Sequence, residues 1–260
     1  MPAHELNMAT RDEIELLRKA LGQERRRTIQ LQGELDRANA GFEEFICVAA
    51  HNLRQSLREV ASFSELLAET YVGRLDSEGQ QFLERIRAGT SKMQSLLADI
   101  VDYWAASSDV QESSRTEMEA ALQQALLSID KQITEHSAVI TSDPLAPVYG
   151  DSGTLARVIA QLIRNGIEYC DTDPPRVHIS CRKTDLECTF SVRDNGSGVE
   201  PEFLDRIFVA FKRLHGPEYP GNGLGLAFCK KTIERFGGRM WMESSPGKGS
   251  TVYFTLPAAE

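Results

Sequence analysis

The sequence has no apolar run long enough to span a bilayer, and its first residues lack the hydrophobic core of a signal peptide. A cytoplasmic chain is the expectation. No block of basic residues stands against the 38 acidic ones, and the formal net charge of -9 argues against nucleic acid as a partner. The five cysteines, Cys47, Cys170, Cys181, Cys188 and Cys229, show no paired spacing that would hold zinc, and they read as reduced structural thiols. A Walker loop and the strand-to-helix dinucleotide fingerprint are both missing, as are internal repeats and low-complexity tracts. What is left, with 41% hydrophobic and 26% charged residues in 260, is a globular chain of one large domain or two small ones.

The most informative stretch runs from Val192 to Leu226. It holds two glycine clusters, Asp194-Asn195-Gly196-Ser197-Gly198 and Gly221-Asn222-Gly223-Leu224-Gly225. Glycines let the backbone take positive φ and bring amide groups onto phosphate oxygens. The near alternation of Leu186 to Arg193 predicts a strand that delivers Asp194 at its end, and Leu224 to Arg235 predicts a helix opening at the glycine loop. A helix start attracts anions, so a nucleotide with its base at Asp194 and its phosphates at the loop suits the pattern. Two ordinary loops in an α/β domain would suit it as well.

From Ile14, apolar or small residues recur at steps of three and four through Leu17, Leu21, Leu31, Leu35, Ala38, Phe42, Phe45 and Ala49, with polar interruptions at Glu24 and Thr28. This seam predicts a parallel two-stranded coiled coil and a homodimer, against the alternative of one amphipathic helix packed on its own domain. The helix continues through Leu57, Phe63 and Leu67 to a turn near Gly73, with Ser77 the expected N-cap of a second helix carrying Phe82, Ile86, Met93, Leu96 and Tyr103. Two such hairpins make a four-helix bundle. Ser107 to Arg115 has the composition of a linker. Beyond it the pattern predicts a helix over 117–130, a short strand at 138–141, a helix with Leu155, Val158, Ile159, Leu162, Ile163 and Gly166 on one face, and four strands. The opposite face of that helix carries Gln161, Asn165 and Glu168. The fold class expected is multidomain: a coiled-coil and helical-hairpin dimer bundle, then a two-layer α/β sandwich.

His51-Asn52-Leu53-Arg54 on the dimer helix, Asn165 on its polar stripe, Asp194-x-Gly-x-Gly and Gly-x-Gly-x-Gly occur in that order. As an ordered set they resemble the sensor histidine kinases of two-component signalling, particularly the phytochrome-like soluble group, over about Phe42 to Leu256. The resemblance implies a connector at 1–41, a dimerisation and phosphotransfer hairpin at 42–107, a linker at 108–115 and an ATP-binding catalytic domain at 116–260. It implies that His51 accepts the γ-phosphoryl group of ATP and passes it to an aspartate on the receiver domain of a response regulator. Asn165 would coordinate Mg²⁺, Asp194 would accept from the adenine amino group, and Gly196 and Gly198 would make room for the ring. Gly221, Gly223 and Gly225 would form the hinge of the ATP lid, with Leu224 among the nucleotide-binding residues. Arg164, Tyr169, Lys212, Arg213 and His215 are further candidates to contact the nucleotide. An upstream sensor, on a separate domain or a partner protein, is implied too.

The sequence departs from the family pattern at several places. Asn52 stands where an acidic general base usually follows the histidine; an amide holds the ring but takes up no proton, which costs on the order of a hundredfold in rate. Ser56 replaces a helix-bending proline. Gln161 replaces a frequent asparagine, and Glu168 a frequent lysine near the triphosphate, a loss that Arg164 or Lys212 would have to offset. Gln55 carries an amide suited to placing a water for dephosphorylation of the regulator, so a slow or phosphatase-biased enzyme is one expectation. The rivals are a pseudokinase or scaffold that binds regulators or other kinases, and an ATPase of the related gyrase, chaperone and mismatch-repair group.

Overall fold

Between Pro2 and Pro144 the sequence contains no proline, so nothing interrupts the hydrogen-bond ladder of two long helices. The computed structural model describes residues 3–105, 114–212 and 221–259, apart from the side chains of 3–18, 20, 36 and 43. Helix α1 is Ala3–Thr70 and α2 is Ser77–Ala105. Between them Gly73 takes φ +70 and the Arg74 amide donates to the Tyr71 carbonyl at 2.9 Å. The N-cap expected at Ser77 falls one residue earlier. Asp76 Oδ1 accepts from the Gly79 amide at 2.8 Å, and Ser77 is already helical.

The chain divides into two compact units, Met1–Asn52 and Leu53–Glu260. The first is helical throughout its described length, and the side chains of Ile14 and Leu17 lie outside the described residues. Its seam residues Leu21, Leu31, Leu35 and Phe45 are exposed in the single chain. The second unit holds the end of α1, α2 and the α/β sandwich. Phe63 and Phe82, 69% and 55% exposed, leave the helix pair with an apolar surface of its own.

The sandwich is built from strands β1 (Ser114–Thr116), β2 (Val139–Ser142), β3 (Val148–Gly150), β4 (Arg176–Lys183), β5 (Glu187–Asp194), β6 (Met240–Ser244) and β7 (Ser250–Pro257). Its helices are α3 (Met118–Ser128), α4 (Asp130–Glu135), α5 (Ser152–Glu168) and α6 (Gly225–Arg235). The main sheet has the order β2-β4-β5-β7-β6, antiparallel except for the parallel β2–β4 pair. Its strands alternate because only one face is covered by helices: in β5, Cys188, Phe190 and Val192 are buried while Thr189, Ser191 and Arg193 are not. Phe190 lies opposite Phe254 in the ladder, and their rings stack at 5.0 Å.

Helix α5 lays Leu155, Val158, Ile159, Leu162 and Ile163, each at most 3% exposed, on this core. Asp151 caps it by accepting from the Thr154 amide at 2.7 Å. Two short elements depart from expectation. Ser114 and Arg115, assigned to the linker, form β1 with Thr116 and pair with β3, a strand that the sequence pattern did not predict. The rest of that linker, 107–113, lies outside the described residues. The helix expected over 117–130 breaks at Ile129 into α3 and α4.

Candidate nucleotide site

A cavity of ≈ 350 Å³ opens at the C-terminal end of α5, between the two glycine clusters. The polar stripe predicted on α5, Gln161, Asn165 and Glu168, faces into it, and Arg164 lines the wall beside them. Apolar side chains of Leu162, Val192, Ile207, Met242 and Val252 supply a flat, dry side of the kind a purine ring needs.

Asp194 stands at the end of β5 in this cavity. Its Oδ1 accepts from the amides of Gly196 and Ser250, both at 2.9 Å, and its Oδ2 has no hydrogen bond among the described residues. Burial pushes the carboxyl above the usual range, and the two amide bonds hold it back. The result is an oriented acceptor with one oxygen open to a ligand amine. Gly166 of α5 makes this possible. A Cβ there would come within 2.8 Å of Val177 Cγ2 and 3.1 Å of Asp194 Cβ, so the missing side chain lets α5 close onto β4 and β5 and sets Asn165 near Asp194.

On the stripe, Gln161 Nε2 donates to Asn165 Oδ1 at 2.8 Å and Arg164 Nη1 contacts Gln161 Oε1 at 3.4 Å. Arg164 Nε is buried without a hydrogen-bond partner among the described residues. Glu168 is raised by burial, and the Arg164 cation opposes the shift, with His136 also lowering it and Asp99 adding to it. The described residues contain no group of three His, Cys, Asp or Glu side chains that would cage an ion. Asn165 and Glu168 are hard oxygen donors, which fits an ion that takes most of its ligands from water and phosphate, as Mg²⁺ does.

The second glycine cluster forms the far wall. Phe211 N–H donates to the Gly223 carbonyl at 2.9 Å, tying the chain that follows Ile207 to the second cluster. Gly223 has φ +71, and a Cβ there would meet the Lys212 carbonyl at 2.8 Å, so only glycine permits this closure. Helix α6 then begins at Gly225, with its free amides at the cavity edge. From the other side, α2 contributes Ser95 and Asp99, and Asp99 Oδ2 accepts from Asn222 Nδ2 at 2.8 Å. Burial raises Asp99; the Asn222 hydrogen bond lowers it, Asp102 raises it, and Arg164 and Arg157 lower it.

Residues 150–260 match the histidine kinase-, DNA gyrase B-, and HSP90-like ATPase family. Residues 43–104 match the His Kinase A (phospho-acceptor) domain. The chain belongs to the sensor histidine kinases of two-component signalling. Cyanobacterial phytochrome A of Nostoc sp. is 42% identical over 229 residues, 88% of this chain and 30% of the relative. Phytochrome-like protein Cph1 of Synechocystis sp. is 37% identical, over 88% of this chain and 31% of its own length. This histidine kinase therefore spans about a third or less of these relatives. Full-length ShkA, solved in complex with AMPPNP, shares the fold with a TM-score of 0.67 at 23% identity, over 84% of this chain and 46% of that one. The catalytic domain of histidine kinase ThkA aligns with a TM-score of 0.50 at 21% identity, over 57% of this chain and 97% of that one.

In this histidine kinase Arg164, Asn165, Tyr169, Asp194, Gly198, Lys212, Gly221, Gly223 and Gly225 converge on one cavity. Gly196 and Leu224 do not line it. Gly196 is buried, and a Cβ on it would strike the Tyr169 carbonyl at 2.6 Å; at Gly198 a Cβ would strike the Ser245 carbonyl at 2.1 Å. The room these two glycines make is for neighbouring backbone rather than for a ring. Leu224 is 1% exposed and packs inward as the residue before α6. Arg213 and His215 lie outside the described residues. His51, Asn52 and Gln55 are exposed on α1. Of the other histidines, His178 is engaged on the sheet with Thr141 at 2.9 Å and Asp143 at 3.4 Å, and His136 ends α4. Sequence reasoning missed Asp99, Gln132 and Ser95, polar residues on helices with no motif around them.

Proposed function

We propose that this chain is the ATP-dependent core of a protein histidine kinase, which phosphorylates His51 and passes the phosphoryl group to an aspartate on a response-regulator receiver domain. The observation that supports this most is one chain holding both a phospho-acceptor hairpin with an exposed histidine and a cavity where Asp194, Asn165 and the glycine loop meet. Asp194 Oδ2 accepts from the adenine amino group, while Gly221 to Gly225 and the first amides of α6 receive phosphate oxygens. Asn165 holds Mg²⁺ through its amide oxygen, with Gln161 fixing the amide's rotamer. The ion neutralises phosphate charge.

An imidazole nitrogen of His51 attacks the γ-phosphorus; the N–P bond forms, the bond to the β–γ bridging oxygen breaks, and ADP leaves. The ring proton then passes to solvent, because Asn52 orients the imidazole without accepting it. Slow autophosphorylation follows, and Gln55, four residues on, supplies an amide for the water that dephosphorylates the regulator. The exposed apolar residues of α1 and α2 support a homodimeric bundle. A sensor domain or partner protein supplies the signal through the heptad-bearing helix. The chain acts in the cytoplasm, in line with the absence of any described helix long and apolar enough to cross a membrane.

Calorimetry with ATP and Mg²⁺, joined to phosphoryl incorporation from γ-labelled ATP, tests the assignment. Binding weakened by Asp194→Ala, and incorporation abolished by Asn165→Ala, are the expected results. Nucleotide binding with no incorporation under any condition would instead establish the scaffold reading, which Asn52 and Glu168 favour.

A further inference from the structure

Asp99 belongs to the phospho-acceptor hairpin yet lines the nucleotide cavity of the sandwich. Its carboxylate reaches 2.8 Å from Asn222 Nδ2, between the two positive-φ glycines Gly221 and Gly223. A second cavity of ≈ 220 Å³ runs along the same seam, where Asp99 and Asp102 of α2 face Arg157 and Arg164 of α5. Arg157 pairs with Asp102. Further along, Lys231 of α6 sits over the rings of Tyr103 and Trp104 at 4.4 and 4.8 Å, and Arg235 Nη1 donates to the Ala105 carbonyl at 3.2 Å. The end of α2 is thus docked on the sandwich by cations of α5 and α6, and Asp99 is the contact that reaches the glycine loop.

We propose that Asp99 makes docking of α2 and binding of the triphosphate mutually antagonistic, its carboxylate engaging the Asn222 side-chain amide at the glycine loop and facing Arg164, the groups that phosphate oxygens entering there would meet. This rests on the nucleotide reading of the cavity and adds its regulation. Among the described lining residues the carboxylates Asp99, Glu168 and Asp194 already outnumber the cations Arg164 and Lys212. A polyanion entering beside Asp99 meets like charge across a partly desolvated space, where salt screens little. Thermodynamic linkage makes the effect reciprocal: whatever factor docking costs ATP, ATP costs docking. ATP loading therefore releases α2, and the penalty grows with the number of phosphates.

The test uses the whole chain and its Asp99→Asn variant, which keeps an acceptor for Asn222 and removes the charge. Calorimetric titration should show ATP bound about tenfold more tightly by the variant, ADP by a smaller factor and adenosine equally by both. ATP binding with equal or lower affinity in the variant, while the chain still binds ATP, would overturn the proposal alone. So would tightening of adenosine as large as that of ATP, which would mark a steric opening. Failure of either form to bind ATP or adenosine would overturn the nucleotide reading and this proposal together. In a Trp241→Phe background the remaining Trp104 reports docking directly. Its emission should shift to longer wavelength with ATP and not with adenosine, and an unchanged emission on saturation with ATP would contradict the release of α2.

Discussion

At the scale of single residues, Asp194 concentrates the chemistry of the site. Its Oδ1 is committed to two backbone amides, so only Oδ2 serves a ligand. Asp194→Asn turns one oxygen into a donor, and the single carbonyl left cannot serve both the amides and the adenine. A charge-assisted hydrogen bond is worth about 1.5–3 kcal/mol, so ATP affinity should fall by roughly tenfold or more, as calorimetry would show. Burial raises this carboxyl, and a carboxyl raised by the fold binds its proton more tightly folded than unfolded. Its contribution to stability therefore falls as pH rises from the ordinary carboxylate value through its own, and Glu168 and Asp99 carry the same sign. Thermal melting at a series of pH values should show stability gained on acidification through that window, with a shallower slope in Asp194→Asn. In an Asp99→Asn background, where the opposing charge of α2 is absent, ATP affinity should fall on acidification as the anionic acceptor Asp194 is lost. The placement of Asp194 and Asn165 on one cavity was legible because glycine clusters and a polar stripe mark them. Gly196 and Leu224 were misassigned because spacing does not say whether a loop position faces a ligand or the protein's own backbone. Asp99 carries no mark at all, since one acid on an amphipathic helix looks like solvated surface until the fold brings the glycine loop against it.

At the scale of elements, α5 couples core and site. Its apolar face was readable from the 3.6-residue period: the five large residues placed on it are buried, and Ile167 joins them. Its cap was not, although Asp151 lies just before Ser152 and satisfies the Thr154 amide. Asp151→Ala should cost about 1 kcal/mol of unfolding free energy in urea titration. Gly166→Ala should cost about 1–3 kcal/mol, because its Cβ would overlap Val177 and crowd Asp194 between packed layers. That variant should also weaken nucleotide binding, whereas Asp151→Ala should leave it intact. The short strands β1 and β3 escaped the sequence because three residues are too few to show alternation, and Ser114 to Thr116 has the composition of a loop. Only pairing across Ser114↔Gly150 to Thr116↔Val148 makes them a sheet.

At the scale of the whole molecule, the order of parts was legible because each carries its own period: heptads in α1, alternation in the strands, glycine clusters at the cavity. The proposed dimer rests on surfaces that a single chain leaves open. Phe63 and Phe82 lie 69% and 55% exposed on α1 and α2, and apolar area of this kind is stabilising only when a second copy covers it. Light scattering after gel filtration should show a dimer that Phe63→Glu dissociates without unfolding the sandwich, whose core is separate. The account as a whole stands on His51 receiving the phosphoryl group. The most direct measurement is incubation of the purified chain and its His51→Ala variant with γ-labelled ATP and Mg²⁺, followed by acid and base treatment of the labelled protein. Label that is acid-labile and base-stable, and absent from His51→Ala, is the predicted result. Label of that kind persisting in His51→Ala, or sustained ATP hydrolysis indifferent to the substitution, would contradict it.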